Sequence, residues 1–478
     1  MSYVLIPSSF YSSDIDFLFR EKTIDKTNVY ISQSLYYYLN KIKQQINIHV
    51  KEWDHYKKIT NPYEYIHTHI FNTNISVSKY KPLSRSFFKM IEIINIFYLL
   101  CEDSNIKSFH LAEGPGGFIE AFNYFRNNKY NDEYYGITII SNDVNIPSWK
   151  KGENYIKNNK KIKIEYGSSK NGDLFDKQNI EYFSKKYYNS MDYITGDGGI
   201  DFSKDFNNQE DLSYKLILSQ ILYAIIIQKK NGVFVLKIFD IFKYKTIELI
   251  YLLSIFYNIV YIYKPYTSRI ANSEKYVICK KFKGISEDFK NKIINKFQYI
   301  MQNADNLHSI FNFSLSNNFL YKIKEINAIY GQQQLENINT TLNFIREINN
   351  LKNSIKSNIL NIEHELFFLK EIDFLEMLKT YLDNSNIDNI NNIYSIEINK
   401  IEKIDKIDNI HNIHNIDNID NINFVKNCVY QDEKINKIFN KINNKLIYII
   451  ISNIRKSIFW CIKYNIEINK NLTFINNY

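Results

Sequence analysis

The chain has 478 residues, 45% of them hydrophobic and 23% charged, so we expect two or three globular domains with a sizeable core. Its 60 lysines and arginines exceed its 51 aspartates and glutamates, and the net charge of +9 permits a polyanionic partner, although a solvated basic surface is the commoner cause. The four cysteines include no C-x-x-C pair, the first residues lack the basic and apolar pattern of a secretion signal, and the most apolar stretches are too short or too interrupted to span a membrane. These features argue against a disulfide scaffold, a structural zinc site, a secreted protein and a membrane protein.

Residues 1–80 are predicted to form a helical N-terminal extension that packs on the following domain, with helix around 34–53. The tyrosines at 36, 37 and 38 could stack on nucleic-acid bases. Aromatic clusters are more often core, and that alternative stays open here.

Strand and helix patterns alternate over residues 81–284, which predicts an α/β domain with a mostly parallel sheet covered on both faces. Seven strands are predicted, at 109–112, 134–140, 161–166, 191–197, 232–239, 258–263 and directly after residue 274. An apolar helix is predicted at 90–100, before the first of these strands.

A glycine turn, Gly114-Pro115-Gly116-Gly117, joins the first strand to a helix that begins at Phe118. Such a turn exposes bare backbone to a ligand, and a helix N-terminus offers unpaired N–H groups, so the unit suits a nucleotide-like cofactor. The spacing departs from the G-x-G-x-x-G dinucleotide pattern, and an ordinary glycine turn is the alternative.

Acidic residues follow three of the later strands. Asp143 and Asp173 are candidates to accept hydrogen bonds from a cofactor's ribose or adenine, and Gly172 beside Asp173 would give a ligand access. Asp197 lies in a Gly-Asp-Gly-Gly turn at the end of a central strand, where open α/β sheets carry their chemistry. Each of them could instead serve only its turn.

Three further charged residues stand out less clearly when each is considered alone. Lys89 near a helix start and Glu274 in a polar loop are most simply solvated side chains. Lys237 lies within an apolar strand, where an ammonium needs either a carboxylate partner or a path to water.

Five motifs together resemble the FtsJ/RrmJ-type S-adenosylmethionine-dependent RNA 2′-O-methyltransferases, and the last of them is most similar to the branch that methylates mRNA caps. The motifs are Ser84–Lys89, Gly114–Phe118, Gly196–Gly199, Val235–Asp240 and Thr267–Tyr276. The resemblance covers about residues 80 to 284 and implies a seven-stranded Rossmann-like methyltransferase sheet, S-adenosylmethionine as cofactor, and an RNA substrate.

The resemblance also implies a catalytic tetrad of Lys89, Asp197, Lys237 and Glu274. A ribose 2′-hydroxyl is a weak nucleophile until it loses its proton, and a lysine can take that proton only if desolvation beside another ammonium lowers its pKa. We hypothesise that Lys237 is the base, that Lys89 steadies the developing alkoxide, and that the two carboxylates orient the lysines. This chemistry requires no metal.

One position departs from the family pattern. Many members have an aspartate on the strand that enters the glycine turn, where this chain has His110. Glu113, closer to the turn, is predicted to contact the amino-acid end of the cofactor instead, and His110 is predicted to be a packed strand residue.

The resemblance ends near residue 285. Residues 285–382 are predicted to be helical, for example at 336–355 and 363–381, and 424–478 to be a C-terminal helical segment. Between them, 383–423 is a low-complexity Asn/Ile/Asp repeat with isoleucine at every third position, which matches neither a helix nor a strand period and predicts a poorly ordered insert. His411 and His414 in the repeat could bind a metal but are more simply products of the repetition.

Three hypotheses for function remain. The first is a methyltransferase acting on the first transcribed nucleotide of capped mRNA, the second an enzyme of ribosomal or transfer RNA, and the third a catalytically silent RNA-binding scaffold. Capping or transcription machinery is an expected partner of the first. The Ile/Asn/Lys-rich composition is typical of an AT-rich genome such as that of a large DNA virus or a protist, so we expect a cytoplasmic or nuclear location, or a viral factory or virion.

Overall fold

The computed structural model describes residues 3–7, 17–21, 30–70, 73–100, 104–127, 130–141, 143, 146–199, 208–311, 313–358, 445–446 and 448–469. The chain divides into two compact units, one formed by Met1–Ile48 with Lys81–Asn339 and the other by His49–Tyr80 with Thr340–Tyr478. The predicted helix at 363–381, the repeat at 383–423 with its two histidines, and residues 424–444 lie outside the described residues.

The first unit is built on strands. Its described strands are β1 (Val4–Ile6), β2 (Phe17–Glu21), β3 (Lys107–Leu111), β4 (Glu133–Ile137), β5 (Ile162–Glu165), β6 (Met191–Gly196), β7 (Gln228–Ile238), β8 (Tyr257–Tyr263), β9 (Lys275–Phe282) and β10 (Leu307–Phe311). Eight of them form one sheet in the order β1-β8-β9-β7-β6-β3-β4-β5, and β2 pairs with β10 in a separate two-stranded sheet.

All seven predicted strands are present in the large sheet, which confirms the predicted α/β architecture. The neighbours β5, β4, β3, β6 and β7 pair in parallel, whereas β9 is antiparallel to both β7 and β8. Because β9 runs in the opposite direction, its first residues lie beside the last residues of β7, with Lys237 opposite Tyr276. The residues just before β9 therefore lie at the carboxyl edge of the parallel strands.

The N-terminal extension contributes an eighth strand, which the helical prediction for residues 1–80 missed. β1 pairs antiparallel with β8 and buries Val4 and Ile6 while Leu5 is exposed. Two other strands were missed in this way: β2, also within residues 1–80, and β10, within residues 285–382, which were predicted to be helical. Strands of three to five residues carry too little alternation to be recognised, and pairing with a distant partner decides them.

The helices of the described chain connect and cover these strands, and they include α1 (Gln33–Ile46), α2 (Val50–Ile59), α3 (Ser86–Phe97), α4 (Gly117–Arg126), α5 (Glu153–Asn158), α6 (Lys177–Tyr187), α7 (Gln209–Ile227), α8 (Tyr244–Phe256), α9 (Glu287–Asn303) and α10 (Asn317–Asn358). α7 and α8 connect successive strands of the large sheet and bury residues on all sides, as expected of helices enclosed in a core. The predicted N-terminal helix is confirmed as α1 and α2, which a short 3₁₀ turn at Asn47–His49 separates.

The three consecutive tyrosines of α1 have different environments. Tyr36 stacks on Tyr30, with ring centroids 4.3 Å apart, and packs edge-on against Phe242. Tyr37 and Tyr38 are 51% and 59% exposed. Packing therefore accounts for Tyr36 alone.

The second unit is helical in its described part. It contains α2, the last part of α10 and a helix over 448–463. The Thr60 and Thr341 hydroxyls lie 2.7 Å apart, and the Asn453 amide donates to the Ile59 carbonyl at 2.7 Å. These buried polar contacts join segments that are far apart in sequence.

Membrane and metal features can be assessed for the described residues. No helix in this part of the chain is long and apolar enough to cross a membrane. The same residues contain no group of three His, Cys, Asp or Glu side chains that could hold a metal ion.

Candidate active site

The four residues of the predicted tetrad come together at the carboxyl edge of the sheet. Lys89 projects from α3, Asp197 follows β6, Lys237 is the penultimate residue of β7, and Glu274 directly precedes β9. The Lys89 Nζ lies 2.6 Å from the Glu274 Oε1, and the Lys237 Nζ lies 3.3 Å from the Asp197 Oδ1. The Lys237 ammonium also donates to the Asp197 carbonyl oxygen at 2.6 Å. The site thus consists of two lysine–carboxylate pairs.

Burial rules out the simplest alternatives for the two lysines. Lys89 is 7% exposed and Lys237 is 9% exposed, so neither is a solvated or snorkelling side chain. The Glu274 side chain is only 13% exposed, so the interpretation of Glu274 as a solvated loop carboxylate is wrong. In each case a partner distant in sequence offsets the cost of burying the charge.

The pKa values of Lys89 and Glu274 are both lowered, for different reasons. Burial lowers the pKa of Lys89, and the neighbouring Arg85 and Lys237 lower it further against the opposing effect of Glu274. Burial would raise the pKa of Glu274, but Lys89 and Lys237 outweigh it and hold that pKa well below its ordinary value. Glu274 is therefore ionised at neutral pH, and its negative charge faces the buried Lys89 side chain.

The loop that carries Glu274 is held by buried charged groups, which the sequence analysis did not identify. Glu92 accepts hydrogen bonds from the Tyr266 N–H at 2.7 Å and from the Thr267 N–H at 3.3 Å. The Lys264 ammonium donates to the Glu274 carbonyl at 3.0 Å and to the Asn272 carbonyl. The loop is therefore fixed at both ends.

Helix α3 supplies one face to this loop. The Arg85 guanidinium donates to the Thr267 carbonyl at 2.9 Å, Lys89 pairs with Glu274, and Glu92 accepts from the loop amides. Positions 85, 89 and 92 lie on one side of a helix because they are spaced by four and three residues. The spacing of these residues is visible in the sequence, but their contact with the loop before β9 is not.

The glycine turn begins with Glu113, whose carboxylate caps α4. The Glu113 Oε1 accepts from the Phe118 N–H at 2.7 Å and from the Ile119 N–H at 3.2 Å. The expectation that the start of this helix offers unpaired N–H groups is therefore wrong for these two amides. The Glu113 Oε2 is buried and accepts no hydrogen bond from the described residues. Burial, with the Asp197 charge nearby, raises the pKa of Glu113 well above its ordinary value.

The glycines of the turn are required by conformation and by close packing. Gly116 has φ of 111°, a region that residues with a Cβ rarely adopt. A Cβ on Gly117 would lie 2.2 Å from the Ser86 Oγ, and one on Gly114 would lie 2.8 Å from the Pro147 carbonyl oxygen. The chain itself approaches the turn closely at these two positions.

His110 is a packed strand residue, as predicted. Its ring is buried and lies 2.8 Å from both the Ser108 and the Thr195 hydroxyls. Burial lowers the pKa of His110 to about 3. The ring is therefore neutral at physiological pH, and both of its nitrogens contact residues of the sheet.

The remaining predicted cofactor residues lie after β4 and β5. The Asp173 Oδ1 accepts from the Phe175 N–H at 2.8 Å, which is the turn function considered as its alternative. Gly172 has φ of 65°, and a Cβ there would lie 1.9 Å from the Thr138 carbonyl oxygen. The absence of a side chain at Gly172 therefore makes room for the backbone at Thr138. Asp143 is exposed, and its backbone N–H donates to the Ser141 hydroxyl at 3.1 Å. Contact of these residues with a cofactor stays a prediction.

A glycine turn after β3, charged residues at the carboxyl edge of β6 and β7, and an antiparallel β9 inserted beside β7 define a Rossmann-like methyltransferase fold. The sequence profile described as FtsJ-like methyltransferase matches residues 82–282.

Named proteins with similar sequences agree with this match. The cap-specific mRNA (nucleoside-2'-O-)-methyltransferase of Autographa californica nuclear polyhedrosis virus is 32% identical over 190 residues, which are 39% of this chain and 68% of the viral protein. Cap-specific mRNA (nucleoside-2'-O-)-methyltransferase 1A of Caenorhabditis briggsae is 33% identical over 207 residues, 41% of this chain and 23% of that protein. The methyltransferase 2 of Drosophila melanogaster is 26% identical over 258 residues, 52% of this chain and 36% of that protein.

The chain therefore belongs to the FtsJ-like methyltransferase family. It spans between about a quarter and a third of the length of the two animal relatives.

Proposed function

We propose that the protein transfers a methyl group from S-adenosylmethionine to a ribose 2′-hydroxyl of RNA, at the first transcribed nucleotide of capped mRNA. The observation that carries this proposal is the pair of buried lysine–carboxylate contacts at the carboxyl edge of the sheet, Lys89 with Glu274 and Lys237 with Asp197. A filled and paired tetrad disfavours the alternative of a catalytically silent scaffold.

The residues around the glycine turn fit S-adenosylmethionine. The buried Glu113 Oε2 lacks a hydrogen-bond donor among the described residues, and the ammonium of the cofactor's amino-acid end would supply one. Glu113 and the backbone of Gly114, Gly116 and Gly117 would hold that end, and Asp143 and Asp173 would hold the nucleoside. When bound, the cofactor supplies a methyl group on a positively charged sulfur. An ammonium beside Glu113 would also favour the ionised carboxylate, which burial alone disfavours.

The protein's part of the reaction is to move a proton and to steady charge. We propose that Lys237 takes the proton from the 2′-hydroxyl, while Lys89 stabilises the alkoxide that forms. Asp197 and Glu274 fix the two ammonium groups and reduce the cost of keeping them buried. Holding the hydroxyl in line with the methyl group would supply much of the remaining acceleration.

The substrate proposal is supported by the named activities of the relatives, which include methyltransferases designated 1 and 2 as well as a viral enzyme. Those activities belong to the relatives, so capped mRNA, and capping or transcription machinery as a partner, are proposals for this chain. A location in the cytoplasm, nucleus, viral factory or virion also stays a prediction.

The test is methyl transfer from radiolabelled S-adenosylmethionine to matched short RNAs. One carries an N7-methylguanosine cap, one is uncapped, and one is capped and already 2′-O-methylated at its first nucleotide. We expect label only on the unmodified capped RNA. Label on the premethylated RNA would move the site to the second nucleotide, and equal labelling of capped and uncapped RNA would favour ribosomal or transfer RNA. No label on any RNA, with cofactor binding measured separately, would refute the proposed activity for this chain.

A further inference from the structure

Tyr276 joins the two ion pairs of the site. It is the second residue of β9, and its ring is fully buried. Its hydroxyl lies 3.1 Å from the Asp197 Oδ1 and 3.4 Å from the Glu274 Oε1. These are the same two oxygens that contact the lysines, at 3.3 Å from Lys237 and 2.6 Å from Lys89. A continuous chain of contacts therefore runs from one lysine to the other through the tyrosine.

The chemistry of a buried phenol suits this position. Burial, with the charges of Asp197 and Glu274 beside it, raises the pKa of Tyr276 well above its ordinary value, so the hydroxyl keeps its proton. One O–H placed between two carboxylates can donate to either of them and lowers the repulsion between them. The Glu274 Oε1 also accepts from the Ser268 hydroxyl at 3.0 Å, but that contact reaches Glu274 alone, whereas the Tyr276 hydroxyl lies within hydrogen-bond distance of both carboxylates.

The ring of Tyr276 contacts the segment proposed to hold the cofactor. It packs against Phe118, with centroids 6.0 Å apart, at the start of the helix that follows the glycine turn. Tyr276 thus touches the catalytic carboxylates through its hydroxyl and the proposed cofactor segment through its ring.

We propose that Tyr276 is a positioning residue whose hydroxyl sets the spacing and charge of Asp197 and Glu274, and through them the placement of Lys237 and Lys89. This inference rests on the proposed function, because it assigns the tyrosine to the same methyl-transfer site. Loss of the hydroxyl removes one donor from the Asp197 and Glu274 oxygens, so each carboxylate holds its lysine more tightly and shifts it from the position needed for proton removal from the substrate.

The charged groups around the hydroxyl come from every element that forms the site. They are Lys89 and Arg85 at α3, Asp197 after β6, Lys237 in β7, Lys264 after β8, and Glu274. Substitution of the tyrosine changes none of these residues directly.

The test compares Tyr276→Phe with Tyr257→Phe. Both changes remove one buried hydroxyl from the same sheet and keep the ring, but the Tyr257 hydroxyl donates to the Gln228 side chain, away from the tetrad. For Tyr276→Phe we expect kcat to fall about tenfold, the cost of losing one buried hydrogen bond, with KM for RNA and cofactor unchanged. Tyr257→Phe should keep the wild-type kcat. An unchanged kcat in Tyr276→Phe, a change confined to KM, or equal losses in the two variants would each overturn the assignment.

A second readout separates this inference from the proposed activity. The rates at which Lys89 and Lys237 are acetylated by acetic anhydride can be followed by mass spectrometry without substrate. We expect both lysines to react more slowly in Tyr276→Phe than in the wild type and in Tyr257→Phe, because each ammonium is then held more tightly by its carboxylate. If the wild type transfers no methyl group, the proposed activity fails while this readout still decides the role of Tyr276; unchanged reactivity would refute it.

Discussion

Lys237 and Lys89 illustrate how a residue's partners determine its chemistry. A lysine side chain costs free energy to bury, and in each of these two that cost is offset by a carboxylate that approaches from another element. Lys237 lies beside the residue after β6, and Lys89 lies beside the residue before β9. Lys157, by contrast, pairs with Glu153 on an exposed helix turn, where burial costs it nothing.

The role of Lys237 predicts the effect of its removal. Lys237→Ala should abolish methyl transfer, because the proposed acceptor of the hydroxyl proton is lost, and should leave cofactor affinity close to that of the wild type. Single-turnover kinetics and calorimetric titration with S-adenosylmethionine measure the two quantities.

Lys290→Ala is a matched control for this variant. Lys290 is also 9% exposed and ion-paired, but with Glu287 on α9, outside the site. The Lys290→Ala variant should retain wild-type turnover. Retained turnover in Lys237→Ala would contradict the assignment of the base, and loss in Lys89→Ala alone would transfer the role to Lys89.

At the scale of elements, the strand–turn–helix unit at β3 and α4 is held by Glu113 and by two tightly packed glycines. A Cβ would collide with Pro147 at position 114 and with Ser84 and Ser86 at position 117, so only residues without a Cβ allow this packing. Gly116 adds the requirement of positive φ.

Gly116→Val should lower S-adenosylmethionine affinity at least tenfold, because a branched side chain at a position of positive φ would distort the turn proposed to hold the cofactor's amino-acid end. It should also cost about 1–2 kcal/mol of unfolding free energy from backbone strain. Calorimetric titration and chemical denaturation measure the two effects.

Gly284→Val separates strain from ligand contact. Gly284 also has positive φ, 87°, but a Cβ at this position would meet no atom within 4 Å. This variant should lose a similar amount of stability and keep cofactor affinity. Equal affinities in the two variants would argue against the turn as the cofactor site.

The loop before β9 depends on Glu92, whose carboxylate accepts from the Tyr266 and Thr267 amides. Glu92→Gln places an N–H₂ group where only acceptors are needed, and should lower unfolding free energy by about 1–3 kcal/mol. Hydrogen exchange should accelerate at those two amides.

Glu248→Gln is the corresponding control. Glu248 is a buried carboxylate that accepts from the Ile310 N–H at 2.6 Å and holds β10. Its substitution should accelerate exchange at Ile310 and not at Tyr266. Unchanged exchange at Tyr266 in Glu92→Gln would show that the loop is held by other contacts.

For the whole molecule, buried titratable groups make stability depend on pH in opposing directions. His110 has its pKa lowered from 6.5 to about 3, so its contribution is full above pH 6.5 and is lost as the pH falls towards 3. Burial raises the pKa of Glu210 and of Glu248 from 4.5 to about 7, so they contribute below pH 4.5 and lose that contribution as the pH rises through 7.

His110→Gln isolates one of these contributions. An amide can hydrogen-bond to both the Ser108 and the Thr195 hydroxyls but does not titrate. The wild-type advantage in unfolding free energy should shrink below pH 6.5 by up to about 1.4 kcal/mol per pH unit. Denaturation curves of both proteins across the range below and above that pH measure it, and a constant difference would show that His110 is not buried in its neutral form.

The sequence alone was enough to predict the seven strands between residues 107 and 282, the glycine turn and the identity of the four charged residues. Local patterns contain this information, since strands and helices repeat with periods of about two and 3.6 residues, and the motifs occur in the same order as in the family.

The contacts among these charged residues are visible only in the tertiary structure. β9 lies between β7 and β8, which places Glu274 against Lys89 and puts Tyr276 between both carboxylates. Glu113 turned out to cap α4, and a three-residue strand from the N-terminus completed the sheet. Strand register and burial arise from packing between segments distant along the chain, and no local pattern of residues specifies them.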